Sequence, residues 1–297
     1  MRKALLLGIA ASFFFSFTFL LNRSMHLSGG SWIWSASLRY LFAFPMLALI
    51  VKKRYGFRNI HLHIRNHCPE WFLWSIIGFG LFYAPSTYAA DHGEAWLIAA
   101  SWQMTIVMGI LLAPLFGKKI PFKNLCVSAV ILGGVFLLQL HNIKSLNLST
   151  IFSTLIPIFI GAVSYPLGNR KMMEVCGNTL STIERVYGMI LCSLPFWGLL
   201  SSFGLIKSGL PSVSQTLQAL LVALFSGVIA TLLFFKATDS VKFNQKWLAV
   251  VESTQAGEVI FSLLGGILLL GDALPDFWGF LGILVIIVGM LLNSMVR

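Results

Sequence analysis

LFGKKIPFKNLCVSAVILGGVFLL, residues Leu115–Leu138, is echoed by LLGDALPDFWGFLGILVIIVGMLL, residues Leu269–Leu292, at a constant offset of 154. Each copy runs from apolar residues through a glycine and a short polar connection into a second apolar segment with spaced glycines. The chain is therefore expected to be an internal duplication. Charge separates the two copies: the first connection carries Lys118, Lys119 and Lys123, the second Asp272 and Asp276. Short lysine-rich connections stay on the cytoplasmic side of a membrane, so the equivalent loops are expected to face opposite sides. Two homologous halves inserted upside down relative to one another are a signature of secondary transporters that open alternately to each side.

Composition agrees with a bilayer setting. The 297 residues are 57% hydrophobic and only 10% charged, with a mean hydropathy of +0.85, too little polar surface to cover a water-soluble globule. Apolar windows long enough to cross roughly 30 Å of hydrocarbon as helix recur along the chain, and strands of alternating polarity do not. The fold class expected is an all-α membrane protein. Its spans, about ten, fall at 4–22, 31–51, 71–90, 94–115, 122–140, 150–168, 184–204, 214–235, 247–270 and 275–294. Asp91, His92 and Gly93 divide the third span from the fourth, as in a tight helical hairpin. The polar connection from Lys52 to Glu70 is too short for a catalytic domain.

The net charge of +11 raises the question of a nucleic-acid partner, but its distribution points elsewhere. With both termini on one side, nearly every lysine and arginine lies together, and only Arg23, Lys144 and Lys207 fall opposite, with Arg39 inside a span. Basicity is thus an orientation signal for cytoplasmic termini in the cell membrane, with anionic-lipid contact and no nucleic acid. The first span follows a Met-Arg-Lys start, yet no small-x-small cleavage site follows it and the duplication needs it, so it is expected to stay. Cys68, Cys126, Cys176 and Cys192 lack metal-ligand spacing and imply neither disulfides nor a metal site. No GxxxxGK[ST] loop supports an ATP-driven pump, and no cofactor is expected.

The repeat extends backwards. LFYAPSTYAADHGEAW from Leu81 aligns with LFFKATDSVKFNQKW from Leu233, and the turn that holds Asp91 and Glu94 in one copy holds Lys242 and Lys246 in the other. Two five-helix halves follow, residues 1–145 and 146–297. The glycine-loop-glycine ends of the halves, LFGKKIP before Gly133-Gly134 and LLGDALP before Gly279, Gly282 and Gly289, resemble the drug/metabolite transporter superfamily over the whole chain. Asp272 stands where that superfamily usually has Glu, and Arg39 in SLRYLFAF is similar to its Arg-aromatic motif. VESTQAGEVIFSLLGGILLLGD looks closest to the ten-helix multidrug resistance efflux group. The resemblance implies secondary transport, commonly export, of small organic molecules through a cavity between the halves.

Ionisable residues inside spans are rare, and each costs on the order of 2.5 to 3.5 kcal/mol near a helix centre. Glu252 and Glu258 share the ninth span, and at roughly 100° per residue Gln255 lies between them on one broad polar face. That face is a candidate wall of the cavity, with one carboxylate titrating as protons and substrate compete. Against this stands a hydrated Glu252 at the membrane surface and a Glu258 that merely bonds a neighbouring helix. Ser253, Thr254 and Gly257 suggest a locally loosened helix. In the first half the matching wall is Ser101, Trp102 and Gln103, with Tyr83 and Tyr88 from the third span. Arg39 either meets an anionic substrate group, pairs with a carboxylate, or braces helices through backbone carbonyls. Trp32, Trp34, Trp71, Trp74, Trp247 and Trp278 lie near span ends and are expected to anchor at the interface.

The expected function is an ion-coupled or exchange transporter of small organic molecules, an exporter of drugs or metabolites with protons as candidate coupling ion. The same fold serves an amino-acid or other metabolite exporter or exchanger, in which Arg39 would matter more. An intramembrane enzyme is disfavoured because no His/Asp/Ser cluster sits at catalytic spacing. A non-transporting scaffold is disfavoured by the absence of large soluble loops. The expected state is a monomer or homodimer in the lipid bilayer.

Overall fold

The computed structural model describes residues 2–117, 119–120, 122–138, 140, 148–241, 247, 250–251 and 253–295, and every regular element among them is a helix. Helices α1 (Arg2–Leu27) and α2 (Trp32–Arg54) form the first hairpin. Ser31 starts α2 because its side-chain oxygen accepts the Ile33 N–H at 3.3 Å, satisfying a donor that has no partner within the helix. A short helix α3 (Arg58–Asn66) precedes α4 (Cys68–Ser75), which passes through a π-helical turn (Ile76–Gly80) into α5 (Leu81–Ala90). Helices α6 (Ala95–Trp102) and α7 (Met104–Leu111) are one apolar stretch broken at Gln103, and α8 (Phe122–Leu138) follows.

The rest of the chain begins with α9 (Leu148–Cys176) and α10 (Thr182–Ser208). Ser181 and Glu184 form a reciprocal capping box at the start of α10. Next, α11 (Val213–Val222) runs through a π-helical segment (Ala223–Ala230) into α12 (Thr231–Asp239). A 3-10 turn (Ser253–Gln255) leads into α13 (Ala256–Gly265) and another π-helical turn (Gly266–Leu270), and α14 (Phe277–Met295) ends the bundle. Ser253 and Thr254, where a loosened helix was expected, lie in the 3-10 turn, and Gly257 lies in the first turn of α13.

Five helical segments are long and apolar enough to cross a membrane: Arg2–Leu27, Trp32–Arg54, Ile151–Cys176, Thr182–Ser208 and Val213–Asp239. Shorter apolar helices, among them Ala95–Leu111, Gly257–Leu270 and Phe277–Leu292, complete a multi-pass membrane protein. The outer surface is apolar, with Leu199, Ile206, Leu268 and Phe277 exposed, whereas Asn22, Arg39 and Glu258 are buried. That distribution suits a hydrocarbon solvent, which penalises polar groups on the lipid face.

Close crossings hold the bundle together. Helix α14 packs along α8, and α9 along α5; α10 lies on α2, α1 on α12 and α13, α7 on α9, and α6 on α13. A Cβ on Gly134 would lie 2.8 Å from the Gly282 carbonyl oxygen, and one on Gly282 would lie 2.8 Å from that of Gly134. Small residues allow this approach, which gains dispersion contacts that lipid cannot replace. A tighter crossing joins α9 to the π-helical turn before α5, where a Cβ on Gly168 would sit 2.3 Å from the Gly78 Cα.

The two ends of the bundle are distinct. At the terminal end Ala4 clusters with Ala237 and Val251, Thr182 bonds the Asp239 carboxylate, and Lys171 Nζ reaches the Leu115 carbonyl at 3.4 Å. At the far end Trp34 Nε1 donates to the Gly209 carbonyl at 2.9 Å, Gln215 Nε2 donates to the Ser31 carbonyl at 2.7 Å, and Arg23 pairs with Asp272. Gly117 turns the chain at the terminal end and Gly271 at the far end, both left-handed with φ of 66°, a conformation that excludes most side chains.

Three features depart from the sequence expectations. The connection from Lys52 to Glu70 contains α3, whose Ile60 is fully buried beside Gly188. Trp71 is fully buried and donates Nε1–H to His63 Nδ1 at 3.0 Å, and Trp34 is also buried, so these two brace helices instead of anchoring at the lipid surface. The fourth span is broken at Gln103, where the side chain Nε2 turns back to the Ala99 carbonyl at 3.0 Å. Lys118, Lys242, Lys246 and Glu252 lie outside the described residues.

Candidate functional site

A cavity lined by aromatic and apolar side chains with a few polar groups opens in the middle of the bundle, the usual make-up of a small-molecule site. Its walls come from α1, α2, α5, α6, α9, α10, α12 and α13 together with the π-helical segments that precede α5 and α12. Helices α8 and α14 contribute nothing to it and pair with each other at its side. Three wall positions lie on π-helical segments, Phe79, Ser226 and Gly227; the wider turn frees the Ser226 carbonyl to accept the Thr231 hydroxyl at 2.9 Å. Such turns are rare and recur at functional sites.

Five of the residues singled out by sequence line this cavity: Arg39, Tyr83, Trp102, Gln255 and Glu258. Arg39 is 5% exposed, and its guanidinium lies 4.0 Å from the centre of the Tyr83 ring. Its Nη2 donates to Ser226 Oγ at 3.0 Å, and Thr18 donates to the same oxygen. Asn22 Nδ2 donates to the Tyr83 hydroxyl at 3.0 Å, which fixes the ring that Arg39 covers. Glu258 is 2% exposed and forms neither an ion pair nor a hydrogen bond among the described residues.

Ser101, Gln103 and Tyr88 are not on the cavity wall. Ser101 and Gln103 are fully buried in the helix around the break, and Tyr88 sits nearer the far end, edge-on to Trp32 and against His92. Sequence reasoning missed Tyr40, Phe82, Tyr165 and Ser226. Tyr40 stacks on Trp197 with ring centres 4.4 Å apart, and Phe82 joins Trp102 and Tyr165 in a three-ring cluster. The Arg-Tyr pair at 39–40 was a signal for the first of these; the others look like ordinary apolar or hydroxyl residues in an apolar helix.

At the far end a polar clasp joins three elements of the bundle. Asp272 Oδ2 accepts the Ala95 N–H at 3.2 Å while Oδ1 lies 3.7 Å from Arg23 Nε, joining the start of α6, the end of α1 and the connection into α14. Beside it, His26 Nδ1 is 3.3 Å from Asp91 Oδ1. Burial pushes the Asp91 carboxyl up to about 7, against the lowering pulls of His92, Arg23 and the Trp32 N–H. A carboxyl raised in the folded state favours its protonated form there. Its stabilising contribution is complete below the ordinary aspartate range and is lost as pH rises through about 7. Intrinsic-rate-corrected hydrogen exchange at Asp91 and His92 is therefore expected to speed up between pH 5 and 8, and to lose that pH dependence in Asp91→Asn. An unchanged pH dependence in Asp91→Asn would refute the assignment.

Comparison with known proteins places this architecture. The EmrE family profile, described as "Putative multidrug resistance efflux transporter", matches residues 2–297. The chain is 49% identical over 305 residues to the uncharacterized protein YjlA of Bacillus subtilis, covering 98% of this chain and 94% of that one. It is 48% identical over 266 residues to an uncharacterized 42.1 kDa protein of Shouchella clausii, covering 86% of this chain and 70% of that one. A solved crystal structure with 12% identity has the same fold, with a TM-score of 0.66 over 99% of this chain and 97% of its own.

Proposed function

The chain belongs to the EmrE family of multidrug resistance efflux transporters, and from that membership we propose that it is a secondary active transporter exporting small organic molecules by alternating access. Two inverted five-helix halves, residues 1–145 and 146–297, rock about the cavity, and Glu258 exchanges protons with substrate. The observation that carries this reading is the cavity itself, walled by four spans from each half and holding, among the described residues, one buried acid and one buried base.

Helix pairing supports the duplication. If α1, α2, α4–α5, α6–α7 and α8 correspond in order to α9, α10, α11–α12, α13 and α14, each major packing pair maps onto another or onto itself. The α9–α5 pair becomes α1–α12, α9–α7 becomes α1–α13, and α8–α14 is unchanged. The equivalent glycine turns at Gly117 and Gly271 lie at opposite ends, which supports inversion. With cytoplasmic termini in the cell membrane, the clasp at Asp272 is the closed outer gate, and the cavity reaches towards the inside through Val186 and Phe235, each near the terminal end of its helix. The chemistry is binding and release, as in a transporter and unlike an enzyme.

Side-specific labelling tests alternating access. With the four native cysteines replaced, Ser86→Cys and Val186→Cys place thiols on the cavity wall towards the far and terminal ends. Losing the Asp272 contacts removes about 1–3 kcal/mol from the closed gate, enough to shift the open-to-closed ratio by about fivefold to 150-fold. Asp272→Ala is expected to raise labelling of the Ser86→Cys thiol from the outside by about tenfold and to lower labelling of the Val186→Cys thiol from the inside. Simultaneous access to both positions from one side, before and after the change, would contradict the proposal.

A further inference from the structure

Arg39 is buried among helices and carries a charge that cannot be discharged. The Ser226 hydroxyl takes Nη2, and the Tyr83 ring covers one face of the guanidinium. The other two nitrogens, Nε and Nη1, are buried and donate to nothing among the described residues. A hydroxyl and a ring face position a guanidinium without neutralising it, and among the described residues no carboxylate forms an ion pair with it. On the same cavity wall Glu258 is also buried, and it has no hydrogen-bond or ion-pair partner among the described residues. A guanidinium and an ionisable carboxyl thus share one cavity without engaging each other, and buried groups of this kind with unmet bonding capacity are retained where something else completes them.

Resting on the transport reading, we propose that the cavity selects amphoteric substrates: a carboxylate docks on Arg39, an amino group on Glu258, and an apolar body lies against the Phe82, Trp102 and Tyr165 rings. Those three rings have centres 4.8 to 5.7 Å apart and form a continuous aromatic face. With Glu258 ionised, the pair Arg39 and Glu258 sums to zero and fits a zwitterion. Protonation of Glu258 leaves the Arg39 charge alone, which holds the carboxylate and releases the amine. A lipophilic cation without an anionic group gains Glu258 and the rings but must share the cavity with an uncompensated guanidinium. Charge pairing therefore discriminates against simple organic cations.

Titration calorimetry on the full-length protein in nanodiscs tests this with four probes of similar apolar bulk: phenylalanine, phenylalanine methyl ester, 3-phenylpropionate and tetraphenylphosphonium. Phenylalanine is expected to bind at least tenfold tighter than each of the others. Arg39→Gln should bring phenylalanine to the level of the ester, drop phenylpropionate below it and leave the ester no weaker than before, and Arg39→Lys should restore part of the loss. Glu258→Gln, which leaves the Arg39 site intact, should instead spare phenylpropionate. Tighter binding of the ester or the phosphonium, an equal loss of all four probes in Arg39→Gln, or no binding of either carboxylate probe would overturn the proposal. Binding in the expected order without flux in liposomes would support the charge pairing and refute the transport reading. Phosphonium flux independent of Arg39 would do the reverse.

Discussion

Gly168→Ala is expected to prevent assembly of the bundle or to destabilise it by about 3 kcal/mol or more, at or beyond the upper end of ordinary overpacking. The added carbon would lie 2.3 Å from the Gly78 Cα, 2.4 Å from the Gly78 nitrogen and 2.8 Å from the Trp74 carbonyl oxygen. All three are backbone atoms, so no rotamer change relieves the clash, and α9 would have to move away from the π-helical turn. That movement would also pull Tyr165 from the Phe82 ring, 4.8 Å away, and open the cavity wall. Gly133→Ala is the control. A Cβ there meets nothing within 4 Å, and alanine gains up to about 1 kcal/mol of helix propensity. Thermal unfolding and size-exclusion profiles of the purified variants separate the two. Equal behaviour would mean that the α9 crossing is not as close as described.

Glu258→Gln is expected to abolish coupled transport while leaving the fold as stable as before, or more so. The carboxyl is buried and unpartnered among the described residues, so replacing it with a neutral amide of the same shape removes a desolvation penalty and breaks no ion pair. For a substrate with an amino group, losing the paired carboxylate costs about 2–5 kcal/mol, more than tenfold in affinity. The combination is diagnostic because a structural residue would lose stability and function together. An unchanged Kd for an amine-bearing substrate, with unchanged pH dependence, would move the coupling site away from Glu258.

Much of the fold was legible because membrane insertion imposes long apolar windows and an asymmetric distribution of lysine and arginine. Helix ends were harder to place: α9 continues to Cys176, past the expected end of its span, because Arg170 reaches back to the Gly109 carbonyl and Lys171 to that of Leu115. Buried charges identified Arg39 and Glu258, since a polar side chain in an apolar helix must face protein or water. Tyr88 and Trp102 look equivalent in sequence, yet only Trp102 reaches the cavity; the π-helical turn before α5 and the break at Gln103 set these directions, and neither leaves a periodic signal. Ser226 escaped notice for the same reason, because its role depends on an arginine 187 residues away.

Following internal pH in liposomes that contain the purified protein tests the central claim most directly. Amino-acid-like zwitterions, carboxylates and organic cations are added outside, and wild type is compared with Glu258→Gln and with protein-free vesicles. Coupled export through Glu258 predicts a substrate-evoked proton movement in wild type that is absent from the other two. Proton movement of equal size in Glu258→Gln, or none in wild type across the whole panel, would contradict it.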